Sequence, residues 1–170
     1  EDNMRSHLKY WSAFRQEALG KRRCVVTVDD DILYGPDTTL RLLRLHEQFP
    51  DAVCANISRR IEGDDYSSWP LVLEPEGPSD NLVALGFGGV LYPPCAYLNP
   101  IVYDRDKVLE KCIGADDLWL RHCESLSGVK VVTGEFCPVY PDIPSSQSVN
   151  LSRHHVRGGG NNVAWKALKD

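Results

Sequence analysis

The run Cys24-Val25-Val26-Thr27-Val28, closed at once by Asp29-Asp30-Asp31, constrains this chain more than any other stretch. A short segment rich in β-branched residues reads as a buried strand, and three carboxylates in a row cannot continue it into the core. Basic Lys21-Arg22-Arg23 leads into the run, and Gly35-Pro36 marks a turn after it. Asp37 is placed to cap a helix over 38–49, which Pro50 ends, and residues 52–57 predict the next strand. Strand, helix and strand in that order predict a layered α/β domain.

Upstream, Met4, Leu8, Trp11 and Ala18 recur at helical spacing, and Gly20 offers a stop. Residues 67–80 carry three prolines without a clear period and predict an irregular surface loop. Residues 85–92 are strand-like, with glycines at their centre, and Pro93-Pro94 stops them. Helices are expected over 104–112 and 116–126, and a strand over 129–133. From Pro138 onward the chain is rich in Pro, Ser, Gly and Asn. The expectation is a single domain over 1–170, with a loop at 67–80 and a C-terminal tail or lid at 138–170.

Composition limits the function classes. With 170 residues, 42% of them apolar, the chain can bury a core. A formal net charge of −5 with no long basic run argues against a nucleic-acid partner held by blanket phosphate neutralisation. No apolar stretch is long enough to span a bilayer. The six cysteines, at 24, 54, 95, 112, 123 and 137, form no C-x-x-C pair. They are expected as free thiols, with Cys24, Cys54 and Cys112 buried in apolar segments.

Four places could carry chemistry. Asp29 and Asp31 lie on one side of an extended chain, with Asp30 pointing away, and paired carboxylates at a strand exit repel unless a cation neutralises them. A hard divalent ion with oxygen ligands would do so; a polar turn explains one or two of these acids. Gly86-Phe87-Gly88-Gly89 reads either as a bulge or as backbone opened to a ligand. Asp116-Asp117 opens a helix: capping explains one carboxylate, and the other could face a cleft as a general base. Arg153-His154-His155-Val156-Arg157 is the compact cluster of guanidinium and imidazole, either a solvated loop or a cover for an anion with one histidine on a metal.

In that order and spacing, these features resemble a glycosyltransferase of the GT-A type, of the family-2-like kind that builds bacterial capsular and surface polysaccharides. VVTVDDDILY (25–34) resembles the family's strand and DxD motif, GFGGVLYP (86–93) its glycine-bearing loop, and ADDLWL (115–120) its acidic motif with the catalytic base. GGNNVAW (159–165) resembles a tail motif in which Asn-Asp is commoner than the Asn161-Asn162 found here. The resemblance implies a Rossmann-like layered fold whose first strand–helix units, which form most of the nucleoside pocket, would precede residue 1. It implies Mn²⁺ or Mg²⁺ held by Asp29, Asp31, His154 and His155, and a donor contacted by Asp29, Asp30, Gly88, Gly89, Arg153 and Arg157. Asp117, beside Asp116, would be the base for inverting transfer from a nucleotide-sugar, a UDP-sugar above all, to a glycan or lipid-linked saccharide. The implied setting is the bacterial cytoplasm, with peripheral association at the inner membrane face. Two alternatives are a non-catalytic glycan- or metal-binding remnant and a metal-dependent phosphohydrolase of the haloacid-dehalogenase type. For the latter the fifth motif position is Leu33, and the later acidic pair opens a helix instead of following a strand.

Overall fold

A computed structural model describes residues 3–135, 141, 143 and 159–169. The chain enters through a 3₁₀ turn, Arg5–His7, into α1, Leu8–Leu19. Because α1 starts only at Leu8, the helical spacing counted from Met4 does not set its buried face. Tyr10 and Phe14, four apart, are fully buried, whereas Leu8 is 57% exposed. Phe14 stacks on Tyr97 at 4.9 Å and meets Tyr92 edge-on at 5.2 Å, so an aromatic cluster fixes how α1 lies on the sheet.

The strands follow as β1 Val25–Thr27, β2 Val53–Ala55, β3 Ser58–Arg60, β4 Glu76–Ser79, β5 Leu82–Ala84, β6 Val90–Tyr92 and β7 Val131–Thr133. Five of them form one mixed sheet in the order β1-β6-β2-β7-β4, with β3 and β5 paired separately. β2 and β7 are parallel, and the other neighbours in the sheet are antiparallel. The chain is therefore mixed α/β. β2, β6 and β7 are buried on both faces, which accounts for their unbroken apolar triplets. Their residues divide by pleat: Val53, Ala55, Val90, Tyr92 and Val131 join the large core with α1 and α5 (Asp116–Leu126). Cys54, Leu91 and Val132 point the other way, to Leu42 of α2, Thr38–Gln48.

β1 departs from the expected buried strand. It lies at the sheet edge with Val25 and Thr27 inward, while Val26 and Val28 are 36% and 45% exposed. Cys24 is likewise exposed, against expectation, whereas Cys54, Cys112 and Cys123 are buried; all five described cysteines are free thiols, and Cys137 lies outside the described residues. Asp37 occupies the N-cap of α2 but makes no capping bond, since its carboxylate accepts from Arg41 Nε at 2.6 Å. Nor is 67–80 a plain surface loop. Trp69 and Val72 are buried in it, and its end forms β4, which pairs with β7.

The remaining helices are α3 (Pro94–Tyr97), α4 (Arg105–Lys107, passing into a π-helical turn at Val108–Cys112), α5 and α6 (Gly160–Lys169). Asp104 caps α4 by accepting from the Lys107 N–H at 3.2 Å. Among the described residues no helix is long and apolar enough to cross a membrane. Near the end of α5, buried Arg121 donates to Glu124 at 3.0 Å and to the Val129 carbonyl at 3.1 Å, tying the helix to the chain that enters β7. Burial holds the Glu124 carboxyl up at about 7 in spite of that guanidinium.

Arg121→Met therefore leaves Glu124 buried alone, and urea denaturation at neutral pH should show a loss of about 3–5 kcal/mol. The loss should be larger in mild alkali and shrink as pH falls toward neutrality, because without the guanidinium Glu124 holds its proton to still higher pH.

Candidate functional site

Topology gathers the acidic motifs at one end of the sheet. β1, β2 and β7 run in the same direction, so Asp29, Asn56 and Gly134 follow their carboxyl ends together. β6 runs the opposite way and starts there, which brings the glycine segment to the same place. In open α/β sheets the crevice beyond the carboxyl ends of strands is where ligands bind.

The geometry of the three aspartates differs from the extended arrangement read from sequence. β1 stops at Thr27, and Asp30 and Asp31 form a turn, so alternation does not decide where the carboxylates point. Asp29 accepts at Oδ1 from Lys9 Nζ at 2.9 Å, and its N–H donates to the Tyr34 hydroxyl at 2.9 Å. That hydroxyl donates onward to the Phe87 carbonyl at 3.0 Å, linking the acidic turn to the glycine segment. Asp30 is exposed and Asp31 half-buried. The Ile143 N–H donates to the Asp31 carbonyl at 2.7 Å, and the Leu33 N–H to the Pro141 carbonyl at 3.1 Å, so chain well beyond β7 returns to this turn.

Lys9 is the centre of the site, and sequence reading passed over it. From the first turn of α1 its ammonium reaches Asp29 and also Asp116 Oδ2, at 2.8 Å. Ala115, not either aspartate, is the N-cap of α5, so Asp116 is committed to Lys9 instead of capping. The carboxyls of Asp116, Asp117 and Asp29 together hold the Lys9 ammonium well above its ordinary pKa despite its burial. Next to Lys9, His7 is buried, donating from Nε2 to the Cys112 carbonyl at 2.9 Å and accepting at Nδ1 from the Tyr10 hydroxyl at 2.8 Å. Burial lowers its pKa, which suits a neutral imidazole that orders the start of α1. A signal for Lys9 did exist: two acidic clusters with no assigned cation, and one lysine beside the buried aromatic of a preceding helix.

Asp117 is different from its neighbour. It makes no ion pair among the described residues, and its Oδ1 accepts from the Gly86 N–H at 3.0 Å. Burial first, then the negative charges of Asp116 and Asp29, push its carboxyl up to about 8. Gly86 is the glycine this arrangement needs: a Cβ there would lie 2.3 Å from Lys9 Nζ and 3.0 Å from Asp117 Oδ1. Gly88 and Gly89, the pair expected to face a donor, also answer local demands of the fold. A Cβ on Gly88 would strike Ile57 at 2.8 Å, and its carbonyl accepts from Asn56 Nδ2 at 3.0 Å. Gly89 has φ +85, in the left-handed region. Arg153, His154, His155 and Arg157 lie outside the described residues.

The described residues offer a hard ion a sparse donor set. Among the described residues no three His, Cys, Asp or Glu side chains gather to hold a metal. Asp29 and Asp31 share one turn and Lys9 occupies Asp29 Oδ1, so a hard ion of the Mg²⁺ kind bound there would need most of its oxygens from substrate phosphates and water. No family model matches this chain, nor does any curated protein or solved structure.

Two measurements probe the charge balance. Lys9→Met leaves Asp29 and Asp116 without their shared cation, and chemical denaturation should register a loss of about 3–5 kcal/mol. Asp117 should act in the opposite sense. Its folded carboxyl releases its proton near pH 8, against 3.8 for the ordinary group, so between those values the folded chain binds more protons than the unfolded one. Its contribution thus makes stability fall as pH rises through that window. Asp117→Asn should flatten this slope and raise neutral-pH stability by roughly 1–3 kcal/mol, read from melting curves across pH.

Proposed function

We propose that this chain is a metal-dependent glycosyltransferase domain of GT-A type that moves a sugar from a nucleotide-sugar to a glycan hydroxyl with inversion. One observation carries the reading. A single ammonium, Lys9 Nζ, ties the DDD turn after β1 to the ADDLWL helix, so motifs far apart in sequence meet at one end of the sheet. The mixed α/β sheet, with β1 at its edge, supports the same reading.

Asp117 is the base. Its carboxylate takes the proton of the acceptor hydroxyl as that oxygen attacks the anomeric carbon. The bond from that carbon to the diphosphate breaks on the opposite face, and the nucleoside diphosphate leaves with the electron pair. A pKa near 8 places the group close to working pH, where base catalysis is most effective. The Gly86 N–H orients the carboxyl, and Asp116 is kept from competing because Lys9 neutralises it. Asp31 and Asp29 would hold Mn²⁺ or Mg²⁺, which when bound would stabilise the charge that builds on the departing diphosphate. A UDP-sugar is the proposed donor, a glycan or lipid-linked saccharide the acceptor, and the cytoplasmic face of a bacterial membrane the setting.

A second reading, a binding domain without turnover, draws on the same lysine, because Asp29 already has its countercharge in Lys9. The experiment that separates them is titration calorimetry with UDP-sugars and Mn²⁺, followed by an assay of UDP release with saccharide acceptors. Transfer should rise with pH toward about 8 and fall about 10²–10⁴-fold in Asp117→Asn, with donor affinity kept. Metal-dependent binding with no release under any acceptor favours the binding domain, and wild-type turnover from Asp117→Asn removes that residue as the base.

A further inference from the structure

Two consecutive asparagines at the start of α6 hold both ends of one tyrosine. Asn162 Oδ1 accepts from the Tyr66 N–H at 2.6 Å, and Asn162 Nδ2 donates to Asp65 Oδ1 at 2.8 Å. Only a side chain that both accepts and donates suits this place, and an amide does. A carboxylate, as in the Asn-Asp of the tail motif that 159–165 resembles, would set one of its oxygens against Asp65. Asn161, buried, donates to the Tyr66 hydroxyl. The grip continues along α6, where Trp165 meets Trp69 edge-on at 4.9 Å and Lys169 pairs with Asp64. Residues 162, 165 and 169 share one helix face, so α6 lies along 64–69 from its first turn to its last.

Tyr66 is thereby fixed beside the acidic pair. It is 5% exposed, its ring lies 5.0 Å from Trp69, and the Arg59 guanidinium covers that ring at 5.4 Å. Burial first, then the negative charge of Asp117, push its hydroxyl up to about 12, so the phenol keeps its proton at neutral pH. α6 also packs against α5, the helix that Asp116 and Asp117 open. The Tyr66 O–H donates to no described residue. A buried donor without an acceptor, in the field of the proposed base, is a group kept for a ligand.

We infer that Tyr66 is the acceptor-side contact of this site: its hydroxyl donates to a saccharide oxygen next to the one that Asp117 deprotonates, and Asn162 is the positioning residue that holds Tyr66 there. The ligand class rests on the transfer proposed above and narrows it to a sugar that carries a hydroxyl beside the attacking one. The acidic turn after β1 serves the donor, so this contact acts on the acceptor alone.

UDP release from the whole chain tests it, with UDP-glucose and UDP-galactose as donors and methyl hexopyranosides and their monodeoxy analogues as acceptors. Tyr66→Phe keeps the ring and should raise the acceptor KM about tenfold, with calorimetric donor affinity kept. Against the analogue lacking the neighbouring hydroxyl, Tyr66→Phe should cost nothing further. Asn162→Asp should raise the acceptor KM similarly and lower the melting temperature by about 2–4 °C. Asp65→Asn with Asn162→Asp exchanges the roles and keeps both hydrogen bonds, so it should restore KM and melting together. A wild-type acceptor KM in Tyr66→Phe overturns the contact. An unchanged KM in Asn162→Asp, or an exchange that restores melting and not KM, overturns the positioning role. No release from the wild type with any of these acceptors counts against the transferase itself and takes the contact with it, whereas release unimpaired in Tyr66→Phe removes the contact alone.

Discussion

The site depends on one ammonium placed among carboxylates that would otherwise repel. Asp29 follows β1, Asp116 opens α5, and Lys9 Nζ lies within hydrogen-bond distance of both. Remove that charge and the end of β1 and the start of α5 have reason to separate. With it present, the excess negative charge is concentrated on Asp117, whose only described hydrogen-bond donor is a backbone N–H. A neutralised carboxylate beside a proton-holding one is a familiar way to give two adjacent acids separate roles.

Glycine is what lets the three groups meet. At position 86 even a methyl group would occupy the space of the lysine head. The neighbouring glycines satisfy other demands, one against Ile57 and one in a left-handed turn. A run of similar residues thus divides its duties by position, and composition alone does not say which residue does what.

Much of the fold was legible in the sequence. The helix at 116–126 matches the observed Asp116–Leu126, and the helix expected after Asp104 begins as read and runs to Cys112 through a π turn. Strands at 52–57 and 129–133 are present but shorter. What periodicity could not supply was context. The exposure of Val26 and Val28 is decided by sheet order, which local sequence does not encode. The buried face of α1 follows from a late helix start and an aromatic cluster with partners many residues away. Proline content hid β4, because its pairing comes from β7. In the site, the acids announced themselves as runs, whereas Lys9 is a lone residue whose meaning appears only when both runs are brought to it.

The parallel pairing of β2 with β7 has a kinetic consequence. These neighbours in the middle of the sheet belong to distant parts of the chain: the Ser58 and Thr133 hydroxyls just beyond and within them share a hydrogen bond across 75 residues. Closing so long a loop comes before any reward from the contact, and topologies rich in distant pairs fold slowly. During synthesis the early strands wait with a hydrophobic face unfinished until β7 leaves the ribosome. For this protein, the order of manufacture and the order of assembly are thus set against each other.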